Sequence, residues 1–430
     1  MTGDASETES GIGAIWRHKR VLGASLIGTA VEFYDFYIYA TAASLVFGSL
    51  FFPSTSPSAQ QLAAFATLAL AFFARPLGAA VFGHYGDRVG RKATLVTSLM
   101  LMGGSTLLIG FLPTYQAIGW WAPFILCVLR FGQGFGLGGE WGGAALLAVE
   151  NAPPGWRARF GMFPQLGAPV GFLAANGLFL ILGATLSEAD FLAWGWRLPF
   201  LGSAILVILG LWVRLKLTET PEFAAARAEA PPPSVPLATL FSSHLGAAIA
   251  GTFACAACFA VYYIATAFAL SYGTKDLGID RESFLGIQLG AILFMALSII
   301  LAGWWADKTS PTRVLAIGCV GTVLMGVAFG PAMGSGGLLP IFLILSLALF
   351  LMGFVYGPLG AYLPALFPVQ LRYTGASFSF NLGGILGGAL APIVATWLIA
   401  LQGIAFVGLY MSAAAAISLA GLWWTSRTAH

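Results

Sequence analysis

Residues 22–50 read LGASLIGTAVEFYDFYIYATAASLVFGSL, and Glu32 and Asp35 are the charged residues of this stretch. About 20 apolar residues suffice for a helix to cross a hydrocarbon core of roughly 30 Å, so the stretch is long enough to span a membrane. The basic run Arg17-His18-Lys19-Arg20 precedes it. The stretch is nevertheless longer than the apolar core of a signal peptide and contains two acids, which predicts a retained transmembrane helix.

The whole chain has the composition of a membrane protein. Its 430 residues are 58% hydrophobic and 9% charged, whereas soluble chains are about 25% charged. Apolar runs of sufficient length predict an all-α membrane protein with twelve transmembrane helices. The predicted spans are residues 22–50, 60–83, 93–112, 120–149, 159–182, 198–217, 244–270, 283–305, 312–331, 339–363, 374–400 and 403–424.

The predicted helices divide into two bundles of six. The longest polar interruption, residues 218–243, separates residues 1–217 from residues 244–430 and is predicted to be a cytoplasmic linker. A related pattern occurs once in each half, Gly83-His-Tyr-Gly-Asp87-Arg88 after the second span and Gly303-Trp-Trp-Ala-Asp307-Lys308 after the eighth. Two related bundles with a site between them near the membrane midplane are typical of alternating-access carriers.

Basic residues are distributed unequally between the predicted loops. With a cytoplasmic N-terminus, fifteen Lys and Arg lie on the cytoplasmic side, against Arg197, Lys275 and Arg281 on the other side. This positive-inside bias predicts a multi-pass protein with both termini in the cytoplasm. The same asymmetry accounts for the net charge of +3, so the charge gives no reason to expect a nucleic-acid partner.

No sequence pattern indicates an enzyme, a metal site or a cofactor. The cysteines Cys127, Cys255, Cys258 and Cys319 lie inside predicted spans, and we interpret them as small packing residues. The string Gly134-Phe-Gly136-Leu-Gly138-Gly139 resembles the glycine pattern of a dinucleotide-binding loop, but it lies in an apolar span without a preceding strand. Its glycines predict close packing of helices instead.

Several motifs of the first half are specific in combination. They are Gly28-Thr-Ala-Val-Glu32-Phe-Tyr-Asp35-Phe, Ala74-Arg75-Pro76-Leu-Gly78, Gly83-x-x-x-Asp87-Arg88-x-Gly90-Arg91-Lys92, Arg130-Phe-Gly-Gln133-Gly134 and Gly138-Gly139-Glu140-Trp141. With these motifs the chain resembles the major facilitator superfamily, and within it the metabolite:proton symporters, which include shikimate, 2-oxoglutarate, citrate and proline/betaine permeases. The first string is most similar to the shikimate-permease branch. The resemblance implies a transporter in a bacterial inner membrane.

The resemblance also implies a cytoplasmic gate after the second span. Its residues would be Gly83, Asp87, Arg88, Gly90 and Arg91, with Asp87 bonded to the start of the eleventh span near Arg372. A carboxylate gains about 0.3–1 kcal/mol beside a helix N-terminus, an attraction weak enough to be released when the halves move apart. The alternative is that the basic residues only set topology. In the second half Ser310-Pro-Thr-Arg313 replaces the Gly-Arg-Lys ending, which argues against a symmetric gate there.

Five charges of the first half fall in the interior of predicted spans, away from the span ends, namely Glu32, Asp35, Arg75, Arg130 and Glu140. Each costs about 2.5–3.5 kcal/mol on insertion scales, which makes it a candidate functional residue. From the helical rise of about 1.5 Å per residue, Asp35 and Glu32 are expected to meet Arg130 near the midplane. Arg75 and Glu140 would form a second pair closer to the cytoplasm. Either pair could instead be a static salt bridge that fixes helix packing.

A carboxylate opposite an arginine can take up or release a proton when the geometry changes or an anion arrives. We therefore predict that Asp35, Glu32 and Arg130 couple transport to protons, and the resemblance favours the pairing of Asp35 with Arg130. The residues expected to bind substrate are Arg130, Arg75, Gln133, Glu140, Tyr263 and Asn381. The last two are foremost among neutral polar residues of the second half, which suit a hydroxylated carboxylate and also include Tyr262, Gln288 and Tyr356.

The predicted function is proton-coupled symport that imports a small organic acid, such as a shikimate-like carboxylate, by alternating access. The expected partners are this solute, protons and the lipid bilayer, and we expect a monomer. The alternatives are a zwitterion symporter of the proline/betaine kind and a proton-driven exporter, for which Gly167-Ala-Pro169-Val-Gly171 is a degenerate antiporter-like pattern. A membrane enzyme or a channel would need a metal cluster, a nucleophile with its base or a ring of pore-lining charges, none of which the sequence offers.

Overall fold

Long helices run from one end of the molecule to the other. The computed structural model describes residues 11–53, 56–89, 91–215 and 236–428, without the side chains of residues 83–95 and of a few others. The helices of these ranges are α1 Lys19–Phe51, α2 Pro57–Val89, α3 Arg91–Phe111, α4 Trp121–Leu137 with Glu140–Glu150, α5 Arg157–Thr185, α6 Leu198–Leu215, α7 Leu245–Lys275, α8 Arg281–Lys308, α9 Pro311–Gly334, α10 Leu338–Ala365, α11 Arg372–Gln402 and α12 Ile404–Thr428.

The predicted all-helical membrane fold is confirmed. Ten of these helices are long and apolar enough to cross a membrane. Of the other two, α3 has a shorter apolar part, Val96–Phe111, and α4 is interrupted after Leu137. Large apolar side chains point outward, with Ile205, Ile208 and Leu324 exposed by 72%, 68% and 70%. Such a surface would be unfavourable in water, so these side chains face lipid.

The helices of the two halves pack in matching pairs. In the first half α1 packs on α5, α2 on α4 and α3 on α6, and in the second half α7 packs on α11, α8 on α10 and α9 on α12. The halves meet where α5 packs on α8 and where α2 packs on α11. The second-half equivalents of α5 and α2 are α11 and α8, so each of these two contacts is the symmetry equivalent of the other. This is the pattern expected for repeats related by a pseudo-two-fold axis.

Breaks in helical hydrogen bonding also occur at matching places. The helix α4 is interrupted at Gly138 and Gly139, and α10 is interrupted at Gly357 and Pro358. Helix ends leave carbonyl groups without an intrahelical partner. Short π-helical segments interrupt α1 at Ala43–Phe47, α7 at Ile264–Phe268 and α11 at Ile385–Ala389. Such segments occur frequently at functional sites.

Glycines account for the closest approach of α2 and α4. A Cβ atom on Gly134 would lie 2.1 Å from the Ala71 carbonyl oxygen, and one on Gly138 would lie 2.0 Å from the Arg75 carbonyl oxygen. The predicted role of these glycines in close packing is therefore confirmed. The contact brings Arg75 on α2 and Arg130 on α4 to the same part of the interior.

Candidate functional site

Two buried arginines share one aromatic side chain in the middle of the molecule. The Cζ atom of Arg75 lies 4.4 Å from the ring centroid of Phe36, and that of Arg130 lies 4.7 Å from the same centroid. Arg75 also contacts the ring of Phe72, at 4.5 Å, and Arg130 contacts that of Tyr39, at 3.7 Å. Ring faces stabilise a cation electrostatically, most strongly where water is excluded. The three rings hold both guanidinium groups without neutralising them.

Both arginines keep unused hydrogen-bond donors. Arg130 donates from Nε to the Thr67 carbonyl, at 3.4 Å, and from Nη1 to Oε1 of Gln133. Among the residues that the structure describes, its Nη2 atom has no hydrogen-bond partner, and neither has Nε of Arg75. Buried donors of this kind are costly unless a ligand satisfies them. The pair therefore has the chemistry of an anion-binding site.

Asp35 lies beside this pair but does not form an ion pair with Arg130. Its side chain is fully buried, and both carboxyl oxygens are without a hydrogen-bond partner among the described residues. Gln133 connects Arg130 to the main chain of Asp35, because it accepts from Arg130 and donates from Nε2 to the backbone carbonyl of Asp35, at 3.1 Å. The same Nε2 donates to Oγ1 of Thr106, at 2.9 Å. The predicted direct contact of Asp35 with Arg130 is thus not formed, and Gln133 accepts from Arg130 instead.

The predicted pair of Arg75 and Glu140 is also not formed. Oε1 of Glu140 accepts from the Ser98 hydroxyl of α3, at 2.6 Å, whereas Arg75 contacts Phe36 and Phe72. Glu32 is buried and lies near enough to Arg75 to act on its charge. Glu140 lies beyond the break of α4 at Gly138 and Gly139, and sequence spacing on an unbroken helix does not reveal this break.

The second half contributes aromatic hydroxyl groups. Tyr263 packs edge-on against Phe36 and Phe72, with ring centroids 5.9 and 5.3 Å apart, which places it beside both arginines as predicted. Tyr262 stacks on Tyr37 of α1, at 5.2 Å. Tyr262 and Tyr356 are both buried in this region. The wall opposite the arginines is therefore neutral and polar.

Asn381 does not lie in this wall. Its Nδ2 atom donates to the Gly138 carbonyl, at 2.9 Å, across the boundary between α11 and α4. The Tyr373 hydroxyl donates to the next carbonyl, that of Gly139. The Gly138 carbonyl is one that the break in α4 leaves without an intrahelical donor. The structure thus assigns Asn381 a contact between the halves instead of the predicted contact with substrate.

A matching contact forms at the break in α10. Nε2 of Gln165 on α5 donates to the Tyr356 carbonyl, at 2.7 Å, and its Oε1 accepts from Nε1 of Trp141, at 3.0 Å. The Trp141 ring stacks on Phe380 of α11, with centroids 3.7 Å apart and planes inclined by 2°. These contacts close the end of the molecule at which α1 begins and α12 ends, here called the terminus side. We call the amide contacts of Asn381 and Gln165 the two latches.

Asp307 corrects the expectation that the second half has no matching gate. Its carboxylate accepts from the backbone N–H groups of Ala158 and Arg159, at 2.8 and 3.0 Å, and lies 3.4 Å from Nε of Arg159. It therefore binds the N-terminus of α5 in the way predicted for Asp87 and α11. The sequence difference after Lys308 leaves this acid in place, which is why the prediction was wrong.

The predicted first-half gate lies largely outside the described residues. The described side chains do not include those of Asp87, Arg88 and Arg91, and Gly83 and Gly90 lie in the same stretch of the chain. Arg372, at the start of α11, is half-buried and donates from Nε to the Phe367 carbonyl, at 3.5 Å.

The opposite end of the molecule, here called the far side, is closed as well. The Ser44 hydroxyl of α1 donates to the Ala267 carbonyl of α7, at 2.9 Å, within two facing π-helical segments. Nζ of Lys275 donates to Oε1 of Gln61. Arg281 forms a salt bridge with Glu188, at 3.1 Å. The arginine site is therefore enclosed between two closed ends, which is an occluded arrangement.

Sequence reasoning missed two polar residues of α5, Gln165 and Asn176. Both are fully buried. In a span with few polar side chains, a buried amide is itself a signal of function or of helix contact. The candidate residues of the first half were chosen mainly for their charge, which these neutral amides lack.

Comparisons with known proteins agree with this architecture. Residues 21–231 match the family model described as sugar (and other) transporter. The chain is 50% identical over 416 residues to the inner membrane metabolite transport protein YhjE of Escherichia coli (strain K12), covering 96% of this chain and 94% of that protein. It is 38% identical over 404 residues to the shikimate transporter of the same organism, covering 92% and 91%.

A further relative and a solved structure are more distantly similar. The glycine betaine/proline/ectoine/pipecolic acid transporter OusA of Dickeya dadantii (strain 3937) is 32% identical over 393 residues, covering 89% of this chain and 78% of that protein. A partially occluded inward open structure of the xylose transporter XylE from E. coli aligns with a TM-score of 0.72 at 16% identity, covering 94% and 98%, and shows the shared fold. The chain therefore belongs to the major facilitator superfamily and is a multi-pass membrane transporter of metabolites, not an enzyme.

Proposed function

We propose that this protein is a proton-coupled symporter that imports a small organic acid by alternating access. Residues 1–217 and 244–430 form the two halves that rock about the enclosed site, joined by the linker 218–243. The terminus side faces the cytoplasm, because it carries the excess of Lys and Arg. The protein acts as a monomer in a bacterial inner membrane, since one chain contains the whole site.

The observation that carries the proposal is the set of buried, unpartnered groups between the halves. Within the described part of the chain, Nη2 of Arg130 and Nε of Arg75 have no acceptor, and the two carboxyl oxygens of Asp35 have no donor. A purely structural salt bridge would bring Asp35 and Arg130 together. These two side chains form no such pair, which leaves the arginines available for an anion and the carboxyl group available for a proton.

Proton coupling follows from the charges of the enclosed region. With Glu32, Asp35 and Glu140 ionised, two arginines and three acids leave a net charge of −1, which repels an anion. Protonation of one acid brings the region to neutrality, and protonation of a second makes it positive. An ionised carboxylate without donors is costly to bury, so the closed arrangement favours protonated Asp35. Proton and anion then raise the affinity for each other by the same factor, as linkage requires.

The arrangement of the rings favours a carboxylate over a zwitterion with a quaternary ammonium group. Such cations bind to free aromatic faces, but Phe36, Phe72 and Tyr39 are already in contact with the two guanidinium groups. A zwitterion symporter remains the second candidate, because relatives named as betaine and proline transporters are about one-third identical to this chain. A proton-driven exporter would use the same charges with the opposite direction of solute movement.

The gate of the first half is proposed by analogy with the second half. Asp307 binds the backbone N–H groups at the start of α5, and pseudo-symmetry relates α5 to α11. Asp87 is therefore proposed to bind the start of α11 near Arg372, with Arg88 and Arg91 beside it and Gly83 and Gly90 allowing the close turn.

The proposal is tested by uptake into proteoliposomes, with and without an imposed pH gradient, across a panel of organic acids and zwitterions. We expect accumulation of a carboxylate driven by the gradient. Asp35→Asn should abolish this accumulation and spare counterflow exchange of labelled substrate, because only proton binding is removed. Glu32→Gln tests the neighbouring acid on the same helix, which is the other candidate for the coupled proton, and Arg313→Gln is the control, because Arg313 is exposed at the start of α9.

Two outcomes would contradict the proposal. Full gradient-driven accumulation by Asp35→Asn would exclude Asp35 as the coupling residue. Binding only of neutral or cationic solutes, or carboxylate binding that fails to tighten from pH 8 to pH 5, would exclude the organic-acid symporter while leaving the carrier assignment in place.

A further inference from the structure

One threonine hydroxyl lies between the acid and the base of the enclosed site. Oγ1 of Thr106, on α3, accepts from Nε2 of Gln133, at 2.9 Å, and the same Gln133 accepts from Nη1 of Arg130. Thr106 also lies near enough to the carboxyl group of Asp35 to act on it. Its side chain is fully buried, as are those of Asp35 and Arg130. Side chains of α1, α3 and α4 therefore meet at this hydroxyl.

The hydrogen of the Thr106 hydroxyl is used within its own helix. It is donated to the Met102 carbonyl, at 3.0 Å, and the carboxyl oxygens of Asp35 are without a donor among the described residues. The Met102 carbonyl lies within the continuous helix Arg91–Phe111, where it also accepts the backbone N–H group four residues further on. The hydroxyl can therefore turn away from Met102 without leaving a buried acceptor unpaired.

A hydroxyl at this place suits both protonation states of Asp35. It has one hydrogen to donate and two lone pairs that accept. One lone pair accepts from Gln133, so the other can accept from protonated Asp35. When Asp35 is ionised, the hydrogen can turn to the carboxylate, which is costly to bury without a donor. Hydrogen bonds to ionised groups are the stronger ones, so ionisation favours the turned hydroxyl.

Other ionisable side chains also face this part of the interior. Glu140 and Tyr34 lie near enough to Asp35 for their charges to interact. In the remaining helices of the first half the ionisable residues of α3, α5 and α6 lie at the helix ends. The set comprises Glu32 and Tyr34 on α1, Arg75 on α2, Arg130 and Glu140 on α4, Tyr262 and Tyr263 on α7, and the end residues Arg91, Lys92, Arg157, Arg159 and Arg214. A variant that lacks only the Thr106 hydroxyl retains all of them.

We propose that Thr106 is a positioning residue for proton coupling, whose hydroxyl turns from the Met102 carbonyl to the Asp35 carboxylate when Asp35 releases its proton. The bond from Gln133 is retained during this turn, so Asp35 stays connected to Arg130 through two side chains. Thr106 thereby sets the pH at which Asp35 releases its proton. This inference rests on the proposed function, because it assumes that Asp35 carries the coupled proton.

The test follows the protonation of Asp35 in the purified full-length protein by infrared spectroscopy between pH 5 and pH 10. The C=O stretch of a protonated carboxylic acid is separate from the carboxylate bands, and its loss in Asp35→Asn assigns it. Thr106→Val keeps the shape of the side chain and removes the hydroxyl. The midpoint of the Asp35 titration should move to higher pH by about 1 to 2 units, because the ionised form loses one hydrogen bond.

Further variants separate positioning from a general structural effect. Thr106→Ser restores the hydroxyl and should return the midpoint toward the native value. Thr106→Ala should behave like Thr106→Val, and it remains informative if Thr106→Val fails to fold. Thr322→Val is the matched control in the second half, because Thr322 is fully buried on α9 and donates to the carbonyl four residues earlier, that of Gly318, at 2.8 Å.

The outcomes distinguish the two proposals. A midpoint that is unchanged or lower in Thr106→Val and Thr106→Ala would overturn the role of Thr106 and leave the proposed function intact. An equal rise in Thr322→Val, or no recovery in Thr106→Ser, would show a general effect on the fold and also overturn that role. If no band assigned to Asp35 titrates in the native protein, Asp35 does not carry the coupled proton, and the proposed coupling fails together with the role of Thr106.

Discussion

The two halves of this transporter resemble each other at the terminus side and differ in the enclosed site. At the terminus side an amide from each half binds a carbonyl freed by a helix break in the other, Asn381 at Gly138 and Gln165 at Tyr356. In the enclosed site the first half supplies Asp35, Arg75 and Arg130, whereas the second half supplies neutral tyrosines. The contacts that close the terminus side thus follow the internal symmetry, whereas the charged residues of the site all lie in the first half.

This difference has a physical reason. Closing a gate requires contacts that form and break together on both sides of the axis, and symmetry provides them in equal strength. Proton coupling requires acids and bases close enough to influence each other within a low-dielectric region. Placing all of them in one half keeps the distances between them constant while the halves rock. The charge state of these acids and bases is then changed by the ligand and the proton, and not by the domain motion.

The largest effect is expected when a charge of the first half is removed. Arg130→Gln should reduce carboxylate affinity by about 10- to 150-fold, because hydrogen bonds to charged groups contribute about 1.5–3 kcal/mol. Tyr263→Phe in the second half should reduce it by less than about 10-fold, since only a neutral hydrogen bond is at stake. Titration of the purified protein with a carboxylate measures both.

Arg313→Gln is the matched control for this experiment, because Arg313 is exposed at the start of α9. Normal acid binding by Arg130→Gln, or equal losses in Arg130→Gln and Tyr263→Phe, would remove the distinction between the charged and the neutral half.

A smaller effect is expected from the latches. Asn381→Leu and Gln165→Leu should each shift the equilibrium toward opening of the terminus side by about 2- to 12-fold, the range for one net hydrogen bond of about 0.5–1.5 kcal/mol. The accessibility of Ala40→Cys to a membrane-impermeant maleimide measures this shift in a variant without the native cysteines, because Ala40 is buried on α1 and lines a small cavity together with Ala267 of α7. The halves are alike at this side only if the two substitutions have similar effects.

Thr322→Val serves as the control for the latches, because the Thr322 hydroxyl donates locally to the Gly318 carbonyl within α9, at 2.8 Å. An increase in labelling for Thr322→Val as large as that for the latch variants would show a general loosening of the fold.

The smallest effect is expected at Asp307. Asp307→Asn removes the negative charge at the N-terminus of α5 and retains an acceptor, so it should increase labelling by about 2- to 5-fold, which corresponds to the 0.3–1 kcal/mol of a charge at a helix end. Asp87→Asn should have the same effect if the first-half gate is its symmetric partner. If labelling is unchanged in Asp87→Asn alone, the gate is excluded, and Asp87, Arg88 and Arg91 would only set the membrane topology.

The sequence by itself determined the membrane fold, the number of helices and the identity of the buried charges. Each of these follows from local properties, because lipid requires long apolar helices and penalises every charge within them. The repeat around Asp87 and Asp307 indicated internal symmetry, and the string Gly134 to Gly138 indicated the close contact of α2 with α4.

Only the tertiary structure decided which of these residues meet. Helical spacing along unbroken helices paired Asp35 with Arg130 and Arg75 with Glu140, and it placed Asn381 in the substrate wall. The break at Gly138 and Gly139 frees the carbonyl that Asn381 binds, and Gln133 accepts from Arg130 where the Asp35 carboxylate was expected. A helix break and a third side chain change partners across helices, and neither depends on the local periodicity from which pairing was inferred.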